Sequence, residues 1–249
     1  METKSQSAIL VPARLASTRF PKKLLYPIKG KSLILRVADR IRQQIPEIPL
    51  VFAIDDMALE KEILENGFEC IMTDPKHKSG TDRLAEANRK IGAQYVINIQ
   101  GDEPLVTREQ ILKLVMMLKE GAQMATLATV FTNRDDFKDP NQVKVVLDNN
   151  GKALYFSRAP LPYFRDHNGN PGNDEIIHHL CYKHLGMYAY QAEFLDTFSS
   201  LPHGRLEQVE KLEQLRVLEN GYSIAVDLTS DPSIGIDTIE DAALYEAML

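Results

Sequence analysis

The run Ala8 to Val11 limits what this chain can fold into more than any other stretch: four apolar residues, closed by Pro12. A brief β-prone run stopped by proline suits a strand buried on both faces of an α/β sheet. The loop behind it gathers Arg14, Arg19, Lys22 and Lys23, with Ser17 and Thr18 among them. In an open α/β sheet, ligands bind where strands leave the sheet. Arginine offers a planar fork to phosphate oxygens and lysine a mobile point charge, so the loop suits a polyphosphate. It is not a Walker loop, because the GxxxxGK[ST] spacing is absent and the loop holds no glycine. Composition alone is equally compatible with a solvated basic loop carrying surface ion pairs.

The rest of the chain sets that loop in a globular α/β context. At 249 residues and 44% hydrophobic content the chain can bury a full core. A net charge of −6 leaves no general field for nucleic acid or an anionic membrane, so the basic loop is a local device. The opening METKSQS is polar and lacks a signal-peptide h-region, and no apolar run is long enough to span a bilayer. A cytosolic protein without membrane insertion is expected. Cys70 and Cys181 lie far apart without CxxC spacing and read as free, buried thiols.

Taken in order, strands alternate with helices. Ile34, Val37, Ala38 and Ile41 recur at helical spacing after Ser32, a fair N-cap. LVFAI is a second strand ending on Asp55 and Asp56, which can meet a ligand or cap the helix from Ala58 to Glu65. FECIMT is a third strand, and in the loop after it Ser79, Gly80, Thr81, Asp82 and Arg83 precede a helix reaching about Ile91. Ser79 or Thr81 can simply cap that helix. Alternatively the loop edge-binds a nucleobase, since Gly80 permits close backbone approach. Tyr95 to Ile99 then forms a buried strand running into Gln100, Gly101, Asp102 and Glu103. An aspartate there, across from a phosphate loop, is a natural magnesium ligand, because Mg²⁺ is usually held by one or two carboxylates plus substrate phosphates. Helix capping by Asp102 competes with that reading, but Pro104 and Thr107 stand nearer the next helix.

Beyond a helix from Glu109 to Lys119 and the strand QMATLATVF, the rhythm changes. VKVVLD and KALYFSR, joined by Asn149 to Gly151, read as an antiparallel hairpin with Arg158 at its far end. Pro160 to His179 has little periodic apolar content and is expected to be a mobile excursion near the site. His178, His179 and His184 fit no usual zinc spacing. YKHLGMYAY is a strand, and period-two alternation puts His184, Gly186, Tyr188 and Tyr190 on one face. RLEQVEKLEQLRVLENG reads as one long helix ending at Gly221, with Glu213 between Leu206 and Val209 on its apolar arc. Glu213 can pair with Arg216 one turn on, or receive hydrogen bonds from substrate hydroxyls. After the strand SIAVDL, Thr238 can cap the closing helix, which leaves Asp237 for a metal.

PAR-x-x-STR-x-P-x-K, QGDEP, SGTDRL, ALYFSRA, KHLGMYAY, VEKLEQLR and GIDT occur in series, from Ala8 to about Glu240. In that series the chain closely resembles the 3-deoxy-manno-octulosonate cytidylyltransferases, sugar nucleotidyltransferases also called CMP-Kdo synthetases. The resemblance implies a Rossmann-like α/β fold, a three-layer mostly parallel sheet with an inserted antiparallel hairpin and loop. One domain over 1–249 is expected, with a sugar-binding and dimerisation insertion at about 123–200, and a homodimer. It also implies the substrates CTP and Kdo, or 8-amino Kdo, with Mg²⁺ as cofactor and lipopolysaccharide biosynthesis as the setting. By the same resemblance the triphosphate loop is Arg14, Ser17, Arg19 and Lys23, and the cytosine loop Ser79, Gly80, Thr81 and Arg83. Asp102 and Asp237 are the implied magnesium ligands, with Gln100 beside them, and Arg14 and Lys23 join them as catalytic residues. The implied sugar pocket is Gln100, Arg158, His184, Tyr188, Glu213 and Gln214. Ile54 stands where the family often has threonine, and Lys22 where it often has glycine.

The implied reaction is in-line attack of the anomeric hydroxyl of Kdo on the α-phosphorus, with pyrophosphate leaving. No side chain is an obvious general base, so the metal is expected to acidify that hydroxyl. Two other readings stand beside it: the same chemistry on another acidic sugar, and a non-catalytic protein that senses CTP.

Overall fold

Leu10 and its neighbours Ile9 and Val11 point to opposite sides of the first strand, and both sides are fully buried. A strand with no wet face must have a packed layer above and below it, and that requirement builds the rest of the molecule. The computed structural model describes residues 6–17, 20–77, 79–179, 181–231 and 233–249. Its strands are β1 (Ser7–Ala13), β2 (Pro27–Ile28), β3 (Lys31–Ser32), β4 (Leu50–Ile54), β5 (Glu69–Met72), β6 (Tyr95–Asn98), β7 (Met124–Val130), β8 (Lys144–Leu147), β9 (Ala153–Ser157), β10 (Tyr182–Gln191) and β11 (Ala225–Leu228). The α-helices are α1 (Leu33–Gln44), α2 (Met57–Glu65), α3 (Gly80–Ile91), α4 (Arg108–Lys119), α5 (Arg134–Lys138), α6 (Asn173–His178), α7 (Ala192–Ser200), α8 (Arg205–Glu210), α9 (Leu215–Glu219) and α10 (Ile239–Met248).

The main sheet runs β11-β7-β10-β6-β1-β4-β5. Along that path only β10 is antiparallel to its neighbours, pairing with β6 on one side and β7 on the other. Apolar faces of α1, α2, α4 and α10 cover one side, and those of α3, α7 and α9 cover the other. Full burial of a side chain such as Leu10 is worth about 2 kcal/mol, and each face supplies many. The expected three-layer, mostly parallel architecture is therefore the observed one. β8 and β9 form the expected hairpin, which is added to the sheet through β8 and β10. Its turn is tied by Asp148, whose Oδ1 accepts from the amides of Asn150 and Lys152, and Gly151 supplies the positive φ.

Three local expectations are corrected. The long helix over 205–221 is two short ones: Lys211 takes a left-handed φ of 55° between α8 and α9. Leu206 and Val209 are exposed, so the apolar arc inferred from periodicity does not face the core. Second, the segment from Pro160 to His179 carries its own anchor, because Phe164 and Ile176 bury against Phe131, Phe137 and Cys181 in a satellite core. One aromatic and one aliphatic anchor were enough for that, although the segment shows no helical period. Third, Ser32 stands at the N-cap of α1 but donates to Glu62 Oε1 at 2.6 Å and caps nothing with its side chain. Asp56 does cap α2, accepting from the Ala58 amide at 2.7 Å.

Among the described residues no helix is long and apolar enough to cross a membrane. Of the two free cysteines, Cys181 is buried and Cys70 half-buried.

Candidate active site

β1 and β6 are parallel neighbours, so the loops after them leave the sheet side by side. They form a cleft of about 550 Å³ lined by Arg14, Ser17, Lys23, Gln100, Asp102 and Asp237 among others. Lys23 is largely buried in it, and its Nζ donates to Asp102 Oδ2 at 2.5 Å and to Asp237 Oδ1 at 3.0 Å. Burial favours the neutral amine, but the two carboxylates outweigh it and raise the Lys23 pKa. Asp237 arrives from far along the chain because Ile236 N donates to the Asp102 carbonyl and Thr238 makes a reciprocal capping box with Asp241. The expected division of labour, Thr238 capping and Asp237 turned to the cleft, is observed. Two carboxylates facing one cationic point are a hard-oxygen donor pair of the kind magnesium takes together with phosphates. Thr18 and Arg19 of the basic loop lie outside the described residues.

A second cleft of about 290 Å³ opens beside the first and shares Arg14 and Gln100 with it. Its walls include Ser79, Gly80 and Thr81 on one side and Tyr188, Glu213 and Gln214 on the other. The two groups that sequence assigned to base and sugar therefore meet in one space. Ser79 also caps α3, accepting from Asp82 N at 3.1 Å, so capping and lining are compatible. Glu213 sits between α8 and α9 and accepts from Thr81 Oγ1 at 2.7 Å. It is not the partner of Arg216, which instead forks onto Glu207 at 2.9 and 2.6 Å in full burial. Gln214 is almost wholly buried in the cleft wall, and its Nε2 has no hydrogen-bond partner. A buried amide left without an acceptor beside a cleft marks a position where a ligand oxygen can sit.

β10 bulges just before Tyr188, which lines the second cleft. Its pairing with β7 steps from Leu185 opposite Leu127 to Tyr188 opposite Thr126, so Gly186 and Met187 are two extra residues. Two extra residues leave the alternation of faces unchanged, and His184, Tyr188 and Tyr190 stay on one side as expected. Thr126 Oγ1 fills the bulge, pointing its single proton at the carbonyls of Leu185 and Met187. His184 Nε2, 3.0 Å from the same oxygen, must then be the donor, which assigns the Nε2–H tautomer. Burial pulls the His184 pKa down to about 3. Burial likewise raises both Tyr188 and Tyr190.

Not every expected contact is made. His184 stands behind Tyr188, ring centroids 5.3 Å apart, and is not among the residues lining the cleft. Arg158 lines neither cleft: its Nε donates to the Glu210 carbonyl at 2.8 Å and its Nη1 to the Pro140 carbonyl at 3.0 Å. Arg83 is fully buried beneath the Ser79 loop and cannot touch a ligand, because its guanidinium is turned to Asp55 and Thr73. Sequence reasoning passed over Asn98, Tyr190 and Lys211, which all line the second cleft. Asn98 was visible as one amide inside the apolar run of β6, and Tyr190 shares the parity of Tyr188. Lys211 gave no signal, since its place depends on the break between α8 and α9.

With this geometry in hand, the comparisons with known proteins are specific. A family model described as Cytidylyltransferase matches residues 8–224. The 3-deoxy-manno-octulosonate cytidylyltransferase of Syntrophobacter fumaroxidans is 48% identical over 237 residues, 93% of this chain and 92% of the relative. The 8-amino-3,8-dideoxy-manno-octulosonate cytidylyltransferase of Shewanella woodyi is 42% identical, covering 97% of each chain. A solved CMP:2-keto-3-deoxy-manno-octonic acid synthetase in complex with CTP superposes with a TM-score of 0.87, at 34% identity and 98% coverage of both chains.

Proposed function

We propose, from the premise that this chain belongs to the 3-deoxy-manno-octulosonate cytidylyltransferase family, that it transfers CMP from CTP to the anomeric hydroxyl of Kdo and releases pyrophosphate. The observation that carries this reading is the junction of the two clefts at Arg14 and Gln100. A nucleotide with its triphosphate in the first cleft and its base at the Ser79 loop of the second places its α-phosphorus at that junction, within reach of an acceptor in the second cleft. The activated sugar is of the kind used in lipopolysaccharide biosynthesis, and the protein acts in the cytosol as a homodimer.

Arg14, Ser17 and Lys23 bind the triphosphate, and the two cations among them neutralise the charge that builds on the leaving pyrophosphate. Asp102 and Asp237, which converge on the Lys23 ammonium at 2.5 and 3.0 Å, are the residues that would hold Mg²⁺. When bound there the ion supplies charge neutralisation and lowers the pKa of the attacking hydroxyl. Ser79, Gly80 and Thr81 border the base, while Tyr188, Glu213 and Gln214 receive the sugar. The sugar carboxylate needs a cation, and Lys211 lines the second cleft where Arg158 does not. Positioning and preorganised charge, with no covalent intermediate, account for the acceleration.

The test is pyrophosphate release from CTP and Mg²⁺ with Kdo and 8-amino Kdo as separate acceptors. Release that prefers Kdo supports the proposal. Release with the amino sugar alone moves the acceptor and keeps the chemistry. CTP binding with no release from either sugar, by folded protein, would replace the enzyme by a sensor or by a different acceptor.

A further inference from the structure

Asp55 has no role in the reaction as described so far. It follows β4 directly, next to the end of β1 in the sheet, where Ala13 pairs with Ile54. The carboxylate is largely enclosed, its side chain 13% exposed. Its two oxygens face in two directions. Oδ1 accepts from the Leu15 amide, inside the basic loop, at 3.2 Å, and Oδ2 accepts from Arg83 Nη2 at 3.1 Å.

Arg83 is anchored in turn. Its Nη1 donates to Thr73 Oγ1, and that hydroxyl donates to the Ile54 carbonyl at 2.7 Å. Arg83 lies in the first turn of α3, two residues after Thr81. One carboxylate therefore joins the loop that lines the first cleft to the helix whose leading residues line the second.

We propose that Asp55 is a positioning residue for the nucleotide: it clips the Leu15 amide of the phosphate loop to Arg83 of the base loop and so sets the distance between triphosphate and base subsites. This rests on the cytidylyltransferase reading. The clip also bears on the electrostatics of the loop pair. Burial pulls the Arg83 pKa down and the nearby Arg14 charge adds to that, while Asp55, with Glu86 and Asp74, opposes it without fully offsetting it.

Two paired variants of the full-length protein test this, because a lone Asp55 substitution would strand the buried Arg83 charge. Asp55→Ala with Arg83→Met removes both charges and the acceptor for Leu15. Asp55→Asn with Arg83→Gln removes both charges and keeps an oxygen for the Leu15 amide. CTP binding is read by calorimetry without acceptor, and the KM for Kdo by pyrophosphate release. The first pair should weaken CTP about tenfold or more, the scale of a displaced binding element, with the KM for Kdo unchanged. The second pair, which keeps an acceptor for the Leu15 amide, should lose less CTP affinity than the first. A folded first pair that binds CTP as tightly as wild type overturns the proposal, as does equal loss in both pairs. Hydrogen exchange at the Leu15 amide of the wild-type protein needs no variant: protection before CTP is added supports the clip, and free exchange overturns it. Wild-type protein that binds no CTP defeats the cytidylyltransferase reading itself, an outcome distinct from normal binding with an unaffected first pair.

Discussion

Asp102 and Lys23 form a short pair, Oδ2 to Nζ 2.5 Å, at the point where the loops after β1 and β6 meet. Asp102 also holds the chain behind Asp237, through its backbone carbonyl and not its side chain. Replacing the side chain should therefore leave Asp237 in place and remove one of two carboxylates from the proposed metal pair. Asp102→Asn is expected to fold normally and lose about 10²-fold or more in turnover, the scale of a deleted electrostatic contact. Wild-type turnover from a folded Asp102→Asn enzyme would remove it from the metal set.

Arg216 and Glu207 are a buried pair, where the sequence offers a pairing with Arg216 as one of two roles for Glu213. Their side chains are 2% and 9% exposed, and the fork is bidentate. Arg216→Met leaves the Glu207 charge enclosed, which should cost about 3 kcal/mol or more, or roughly 6–12 °C in melting temperature. Burial alone would raise the Glu207 pKa, yet Arg216, with His203 and the Gly204 amide, leaves it lowered. A depressed carboxylate stabilises above its unfolded pKa, and that contribution disappears as pH falls through the folded value. Acid unfolding should thus begin at higher pH in Glu207→Gln than in wild type, followed by circular dichroism.

For His184 the sign of acid sensitivity comes from a base kept neutral. With a folded pKa near 3 against about 6.5 unfolded, the unfolded chain takes up a proton that the folded one refuses. His184 therefore contributes fully above pH 6.5 and progressively less as pH falls toward 3. Nitrogen chemical shifts should report a neutral Nε2–H ring at pH 5, and a charged ring there would break the assignment.

Lys22 adopts a φ of 54° while its side chain is exposed. That is a left-handed conformation in which a Cβ is costly and glycine is not. It gives a physical reason for the glycine common in the resembling family at this position. Lys22→Gly should raise stability by about 1 kcal/mol in denaturant unfolding, and a loss of stability would mean that the Lys22 side chain makes a compensating contact.

Most of the frame was legible because it rests on short-range rules. The apolar runs before Pro12 and Asp55 read as strands, although β1 carries on through Pro12 to Ala13, and Gly221, with its positive φ, follows the last helical turn of its segment as expected. The motif order brought Arg14, Lys23, Asp102 and Asp237 to one cleft: the first three follow the C-terminal ends of the neighbouring parallel strands β1 and β6, whereas Asp237 is held there by the bond from Ile236 to the Asp102 carbonyl. What failed depended on distant partners. The helix over 205–221 has a good heptad-like pattern, but Arg216 turns to Glu207 and the chain breaks at Lys211. Arg83 looked like a ligand contact from its loop, and only the fold shows that Asp55 and Thr73 have already taken its fork. No local pattern encodes which side of a loop a long cation will turn to.

The bulge in β10 makes the sugar side of the cleft sensitive to odd and even. Because Gly186 and Met187 are inserted as a pair against β7, loss of both would shorten the strand without changing which way His184 and Tyr188 point. Loss of either alone would invert one half of β10 relative to the other, sending an aromatic ring into the opposite core layer and a core residue into the cleft. The segment can thus change length only in steps of two, and a screen of deletions across 185–188 should find its survivors among the doublets.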